Sequence, residues 1–348
     1  MKLASDQDRI RRTLWTLCAA ILFLTLSLRP GNAGSIGIGS AAHTGQELQS
    51  DSPLERYQNW LSKLDRSRVQ SIPAARKQFI EEFSTANAEA QVDAFRKFLV
   101  FYRNVIRDND AEFHGKKDLQ KVLTAVTDET GSRSSPLSAL AKSTKPGASR
   151  LKAAYQRELA ELAEYRRCGI DFAESEGDWY LQEDLDFLLE TAVPLKGEYH
   201  EYLAFYAREH RKRVVEDGGL MTSWGDLGRR ISRWERFAAG HPSLAETRTT
   251  IEPELGRMMS WYLVGTDNSP AYDFSKKGAI VPELLRSYDT FLRDNKESRY
   301  FDLINKIRAS LKTSRGSISK DVLALLTGAG YRTGHLERQA AKLLSGPR

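Results

Sequence analysis

The sequence predicts an all-α protein, built of stacked helical hairpins or of an irregular helical repeat. Three observations carry this expectation. Apolar residues recur at three- and four-residue steps along most of the chain, as in Leu54, Tyr57, Trp60, Leu61 and Leu64. Helix-start signals precede such stretches, as in Ser52-Pro53-Leu54-Glu55, a capping box with proline at the first helical position. No segment alternates apolar and polar residues over a strand's length, and Ile170-Asp171-Phe172-Ala173 is too short to count.

The elements follow in order. Pro73 opens a helix bearing Phe79, Ile80 and Phe83. Val92, Phe95, Phe98, Leu99, Tyr102 and Ile106 share a face between Ala88 and Arg107, and Leu119, Val122, Leu123 and Val126 mark the next helix. Residues 130–147 cluster Gly, Ser and Pro and read as a linker loop between an N-terminal helical unit, 53–129, and a C-terminal one, 148–345. Leu151, Tyr155, Leu159, Leu162 and Tyr165 begin the second unit, with Gly169 as a stop. Leu181, Leu185, Leu188 and Leu189 predict a helix broken by Pro194, and its successor, with Tyr199, Tyr202, Leu203 and Tyr206, should run to about Gly218-Gly219. Ser223 and Ser243 resemble N-caps. Gly265 closes the helix of Met258, Trp261 and Tyr262. Pro282 and Ser298 start two more, and two short helices finish the chain.

The N-terminus sets the compartment. Arg9, Arg11 and Arg12 precede an apolar run from Thr13 to Leu28, followed by small residues at Gly31 and Ala33. This is the pattern of a secretory signal peptide over residues 1–33. The run is shorter than the ~20 residues that cross a bilayer as a helix, which favours removal over anchoring. The product would then be periplasmic or extracellular. The alternative is a protein anchored through residues 13–28, and membrane contact is expected only in that case. Residues 34–52, rich in Gly and Ser, read as a flexible tether.

Charge and cysteine usage narrow the function classes. Residues 1–33 carry five of the 52 Lys and Arg and two of the 46 Asp and Glu, so the net charge falls from +6 to +3 once they leave. No basic face is concentrated enough for a nucleic-acid binder. Cys18 goes with the signal, leaving Cys168 alone and no internal disulfide; a lone thiol in an exported protein is expected to be buried.

Several side-chain groups could carry binding or chemistry. Arg229, Arg233 and Arg236 stand at steps of four and three, and aligned guanidinium forks hold phosphate or carboxylate. The loop Gly265-Thr266-Asp267-Asn268-Ser269-Pro270, followed by Tyr272 and Phe274, is polar with aromatics after it, as recognition loops are. Asp267, Asn268 and Tyr272 are its candidate binding residues. The competing readings are an ion-paired helix face for the arginines and an Asx turn for the loop. Glu183, Asp186 and Glu190 form an acidic stripe whose simplest role is a solvated helix face. None of the six histidines (His43, His114, His200, His210, His241 and His335) has an i, i+4 histidine partner, so they read as surface or turn residues and no metal or cofactor is expected.

One aromatic pattern recurs: Tyr57 with Trp60, Tyr202 with Phe205, Trp234 with Phe237 and Tyr288 with Phe291. It resembles the second helix and turn of tetratricopeptide-type repeats of bacterial envelope proteins. The first residues of the last three pairs stand 32 and 54 residues apart, against a repeat period of ~34. The resemblance implies a scaffold presenting a surface to an envelope protein or cell-wall polymer, without catalysis. A second, looser resemblance joins Glu174-Ser175 and Gly219-Leu220-Met221 to two motifs of lytic transglycosylases. It implies Glu174 as the acid of a cell-wall glycan-cleaving enzyme, although Thr222 stands where that family carries glutamine. The export reading predicts a secreted product that begins after Ala33, readable by mass spectrometry of the purified N-terminus.

Overall fold

A computed structural model describes residues 52–132 and 135–344. The signal segment 1–33 and the tether up to residue 51 lie outside the described residues. The protein is all-α, with fifteen helices and three short two-stranded hairpins among the described residues. No described helix is long and apolar enough to cross a membrane. Residues from Asp51 onward form one compact unit.

The first half is organised by a long central helix. Helices α1 (Pro53–Lys63) and α2 (Ser71–Phe83) pack on α3 (Ala88–Gly115). The capping box of Ser52 and Glu55 starts α1 as the sequence predicts, and Asn87 caps α3 by accepting from the Ala90 N–H at 2.9 Å. Along α3 the buried face reads Phe95, Phe98, Tyr102, Val105 and Phe113. These rings continue one aromatic stack that runs from Phe79 through Phe95 and Phe98 to Tyr102 and Phe187, with centroids 5.7–6.3 Å apart. Such pairs add about 0.5–1.5 kcal/mol each beyond the area they bury. Helices α4 (Lys117–Thr130), α5 (Pro136–Lys142), α6 (Pro146–Ala154) and α7 (Gln156–Arg167) follow. Residues 130–147 are thus not the loop the composition suggests. Pro136 and Pro146 each occupy a first-turn position, where the missing N–H costs nothing, and they start helices instead of preventing them.

The hairpin β1 (Ile170–Ser175) and β2 (Asp178–Glu183) corrects the expectation of no strands. Its alternation is visible once the turn is recognised. Ile170, Phe172, Trp179 and Leu181 face inward, and Glu176-Gly177 makes a two-residue turn with both φ angles positive, 52° and 85°. Leu181 therefore belongs to a strand, and the helical spacing of the leucines is coincidental before Leu185, where α8 (Leu185–Thr191) begins at the Asp184 cap. The acidic stripe dissolves with it, because Glu183 lies on β2 while Asp186 and Glu190 lie on α8. Tyr102 ties the hairpin base to α3. Its hydroxyl donates to the Gly169 carbonyl at 2.5 Å and accepts from the Asp184 N–H at 2.8 Å. Gly169, at φ 83°, lies so close to the Phe187 ring that a Cβ would strike it.

In the second half, α9 (Glu198–His210) ends well before Gly218-Gly219. The chain then turns through β3 (Val215–Glu216) and β4 (Gly219–Leu220) around Asp217-Gly218, again with two positive φ angles. Helix α10 (Trp224–Gly240) starts at its Ser223 cap and packs on α11 (Glu252–Val264) and α12 (Pro282–Asp294). A π-helical turn, Thr247–Ile251, leads into α11. The small hairpin β5 (Tyr272–Asp273) and β6 (Ala279–Ile280) precedes α12, and α13 (Phe301–Thr313), α14 (Lys320–Gly328) and α15 (Gly334–Leu344) close the chain.

The recurring aromatics act as staples between helices. Tyr57 on α1 donates to the Ala75 carbonyl on α2 at 3.0 Å, and Tyr288 on α12 donates to the Tyr262 carbonyl on α11 at 3.2 Å. Cys168 is buried, as its lone status suggests, and burial pushes its thiol up to about 12, so it stays protonated and inert. Tyr102→Phe removes no volume from the core but takes one partner each from the Gly169 carbonyl and the Asp184 N–H, which keep only their mutual bond at 3.1 Å. A loss of about 0.5–1.5 kcal/mol of stability is expected, seen as a lower urea midpoint with an unchanged slope.

Candidate functional site: two grooves flanking one helix

Helix α10 presents two grooves. The first brings together the predicted arginines. Arg229, Arg233 and Arg236 line a cavity of about 260 Å3 between α10 and α12. It is open because α10 carries Gly225, Gly228 and Ser232 where it faces Ser287 and Phe291 of α12. Gly228 has no room for a side chain, since a Cβ there would approach the Tyr262 hydroxyl to 2.9 Å. Thr290, Asp294 and Asn295 form the opposite rim. The arginines are not equivalent. Arg229 pairs with Asp226 at 2.5 Å on an exposed surface, where such a pair contributes little. Arg233 makes two 3.0 Å bonds to the carboxylate of Glu209. Arg236 is exposed and makes no ion pair among the described residues.

Glu209 links this groove to the second. It is buried, with 3% of its side chain accessible, and also receives Arg230 Nε at 2.9 Å. Arg230 reaches further to the backbone carbonyls of Glu209 and Lys212. Desolvation works to raise the Glu209 carboxyl, but the hydrogen bonds and charges of Arg233 and Arg230 outweigh it and hold it at about 2.

The second groove, about 210 Å3, lies between the C-terminal end of α9, α10 and α11. It is lined by Glu209, His210, Arg230, Trp234, Glu254, Arg257, Met258 and Trp261 among others. His210 is fixed in two ways: its ring stacks on Tyr206 at 3.9 Å, and its Nδ1–H donates to the Tyr206 carbonyl at 2.9 Å. That bond leaves Nε2 as the free nitrogen of a neutral ring. Burial lowers the His210 imidazole below its ordinary 6.5, despite the opposing pull of the Tyr206 carbonyl, Glu254 and Glu183, and Arg230 adds to the lowering. Beyond His210 lies the pair of Arg103 on α3 with Glu183 on β2, at 2.5 Å. Arg103 is strongly desolvated, yet 39% of its side chain still meets solvent. Desolvation opposes its charge, and Glu183 restores it. Tyr202, nearby, bonds Thr250 of the π-helical turn, and such turns are frequent at functional sites.

The remaining predicted residues fall elsewhere. Asn268 is occupied in folding: its N–H donates to the Gly218 carbonyl at 2.8 Å and its side-chain amide to the Asp217 carbonyl at 2.5 Å. Asp267 is exposed at that loop's tip. Tyr272 is fully buried and offers nothing to a surface, which corrects its assignment to a recognition loop. An apolar β5 residue sealed under the start of α12 cannot be told from a loop aromatic by composition. Glu174 sits half-buried on β1, where its backbone carbonyl accepts from Arg213 at 2.8 Å, and it lines neither groove. The expectation of surface or turn histidines fails for His210, which is half-buried and stacked; His43 lies outside the described residues. The signal that could have found it is the aromatic four positions before a helix-ending histidine, present twice: Tyr206 with His210, and Phe237 with His241. Among the described residues no cluster of His, Cys, Asp or Glu could hold a metal ion. The chain matches no protein-family model, and no curated protein or solved structure is found similar to it.

Two outcomes follow from the charges. Glu209→Ala leaves Arg230 buried and unpaired, and should cost about 3–5 kcal/mol in chemical denaturation. Because the folded Glu209 titrates at about 2 rather than 4.5, its contribution is complete above pH 4.5 and is lost as pH falls toward 2; the Glu209→Ala variant should show a flatter acid limb.

Proposed function

We propose that the protein is an exported, non-enzymatic helical scaffold that holds an anionic group of an envelope protein or cell-wall polymer in the Arg229–Arg233–Arg236 groove. The observation that carries this reading is the shared groove itself. Three guanidinium groups on consecutive turns of α10 converge on one cavity, and among the described residues Arg236 has no ion-paired carboxylate. Arg233 is held rigid by Glu209, so it loses little freedom when a ligand arrives. Arg229 releases an exposed partner at small cost. A carboxylate or phosphate entering the groove would meet one preset, one exchangeable and one free guanidinium. The apolar floor at Phe291 lowers the local dielectric and strengthens each contact. Delivery to the envelope rests on the N-terminal pattern of residues 1–33. The tetratricopeptide-like aromatic pairs support a stacked-helix scaffold with such a groove between helices.

The test keeps Arg233, which serves the fold, and reverses the other two. Arg229→Glu with Arg236→Glu should lower retention of the protein on immobilised polyglutamate and on isolated cell-wall polymer by tenfold or more. The wild-type retention should fall as salt rises. Retention equal to wild type would remove the groove from the function.

A further inference from the structure

We infer that the second groove, lined by His210, Glu254, Met258 and Trp261, is a binding site for a neutral sugar ring. The charges inside its wall are matched. Arg257 pairs with Glu254 at 2.8 Å, Arg230 with Glu209 at 2.9 Å and Arg213 with Glu216 at 3.5 Å. Lys212, exposed at the edge, is the lining cation with no ion pair among the described residues, so a charged ligand would find its counter-charge at the rim and not in the interior.

What is left over is neutral. His210 Nε2 has no partner among the described residues, and its direction is fixed by the Tyr206 stack and the Nδ1–H bond. The ring of Trp234 lines the same cavity and adds to its apolar wall. Trp261 and Met258 supply an apolar, polarizable wall, and Trp261 is only half-buried. The paired carboxylate of Glu254 still has lone pairs for hydroxyl donors. A fixed acceptor, a carboxylate and an aromatic face complement a ring with hydroxyls on its edge and C–H bonds on its face. The volume, about 210 Å3, is below the ~300–1,000 Å3 of drug-sized sites and suits a single ring.

The titratable groups around His210 come from every neighbouring element: Tyr206 on α9, Arg230 on α10, Glu254 on α11 and Glu183 on β2. Burial keeps His210 neutral, so Nε2 remains an acceptor at neutral pH. The site does not depend on the arginine groove. It sits on the other side of Glu209 and would exist whether or not that groove binds anions.

The experiment titrates the full exported protein with methyl glucoside, N-acetylglucosamine, a β-1,4-linked N-acetylglucosamine tetrasaccharide and methyl glucuronide. The readouts are the 15N shift of His210 Nε2 and tryptophan fluorescence. Saturable shifts with the neutral sugars at millimolar concentration are expected. His210→Ala and Trp261→Ala should each weaken binding about tenfold. His210→Gln, which keeps an acceptor, should restore part of the loss, and Arg236→Glu should leave sugar binding unchanged. If the tetrasaccharide shifts Nε2 as the monosaccharides do, the ligand is a chain end; if only the monosaccharides do, it is a free sugar. The proposal is overturned by the absence of any saturable His210 shift up to tens of millimolar, by unweakened binding in both alanine variants, or by tighter binding of the uronide than of the neutral glycosides.

Discussion

The second half of the molecule depends on one buried carboxylate. Glu209, near the end of α9, is gripped by Arg230 and Arg233, one turn apart on α10. Burying Glu209 with Arg230 is costly and only full pairing makes it tolerable, while Arg233, 42% exposed, brings its charge in from the surface. Here the pairing is complete: both carboxylate oxygens are used, and Arg230 spends its remaining donors on backbone carbonyls left open by the end of α9. The charged group thus does the work of a helix cap and of an interhelical clamp together. It also fixes the orientation of α10, because its two arginines face different grooves. Arg233 reaches the Glu209 carboxylate from the arginine groove, while Arg230 and Glu209 form the wall of the other.

Two histidines show how context, and not local sequence, sets proton affinity in this fold. His210 and His241 both follow helices, both stack on an aromatic ring four positions earlier, and both donate Nδ1–H to that residue's carbonyl. For His241, desolvation is outweighed by the Phe237 carbonyl and the Glu201 carboxylate at 3.1 Å, and the imidazole is raised. His210 has the same bond but, among the described residues, no carboxylate in contact, so desolvation prevails and it is lowered. The sign of linkage differs accordingly. The raised His241 adds stability that is full below pH 6.5 and fades as pH rises through its folded value, whereas the lowered His210 costs stability as pH drops below 6.5. Across mild acid the two oppose each other.

The helices were legible because burial on one face imposes a period that the sequence must repeat. The hairpins were not, for two reasons. Each is short, and their turns are closed by Glu176-Gly177 and Asp217-Gly218, whose positive φ values rather than any apolar pattern define them. Leu181 also falls in phase with the leucines of α8, so a strand and a helix read as one element. The arginine stripe was legible as a stripe, since three residues at helical steps share a face, but its groove was not. That cavity exists because Gly228 and Ser287 lie opposite each other across α10 and α12, 59 residues apart in sequence. The His210 cleft draws on α9, β3, α10 and α11 at once, and no local pattern encodes such convergence. Asn268 shows the reverse case: a polar loop residue whose chemistry suits recognition but is consumed in fastening one turn to another.

The small residues of α10 bear on how binding could be felt across the helix. Gly228 lets the Tyr262 hydroxyl approach closely, and that hydroxyl is 2.6 Å from Ser287 Oγ, which in turn donates to the Trp224 carbonyl at the start of α10. One end of the arginine groove is therefore pinned by a short chain of neutral hydrogen bonds, and its middle by Arg233 on Glu209. Any displacement of Arg233 from Glu209 would leave that carboxylate to Arg230 and, at 3.5 Å, to Arg208. The consequence falls on the far side of the helix, where Arg230 and Glu209 shape the second cavity. The shared carboxylate thus connects the two cavity walls through side chains alone, with no motion of α10 itself.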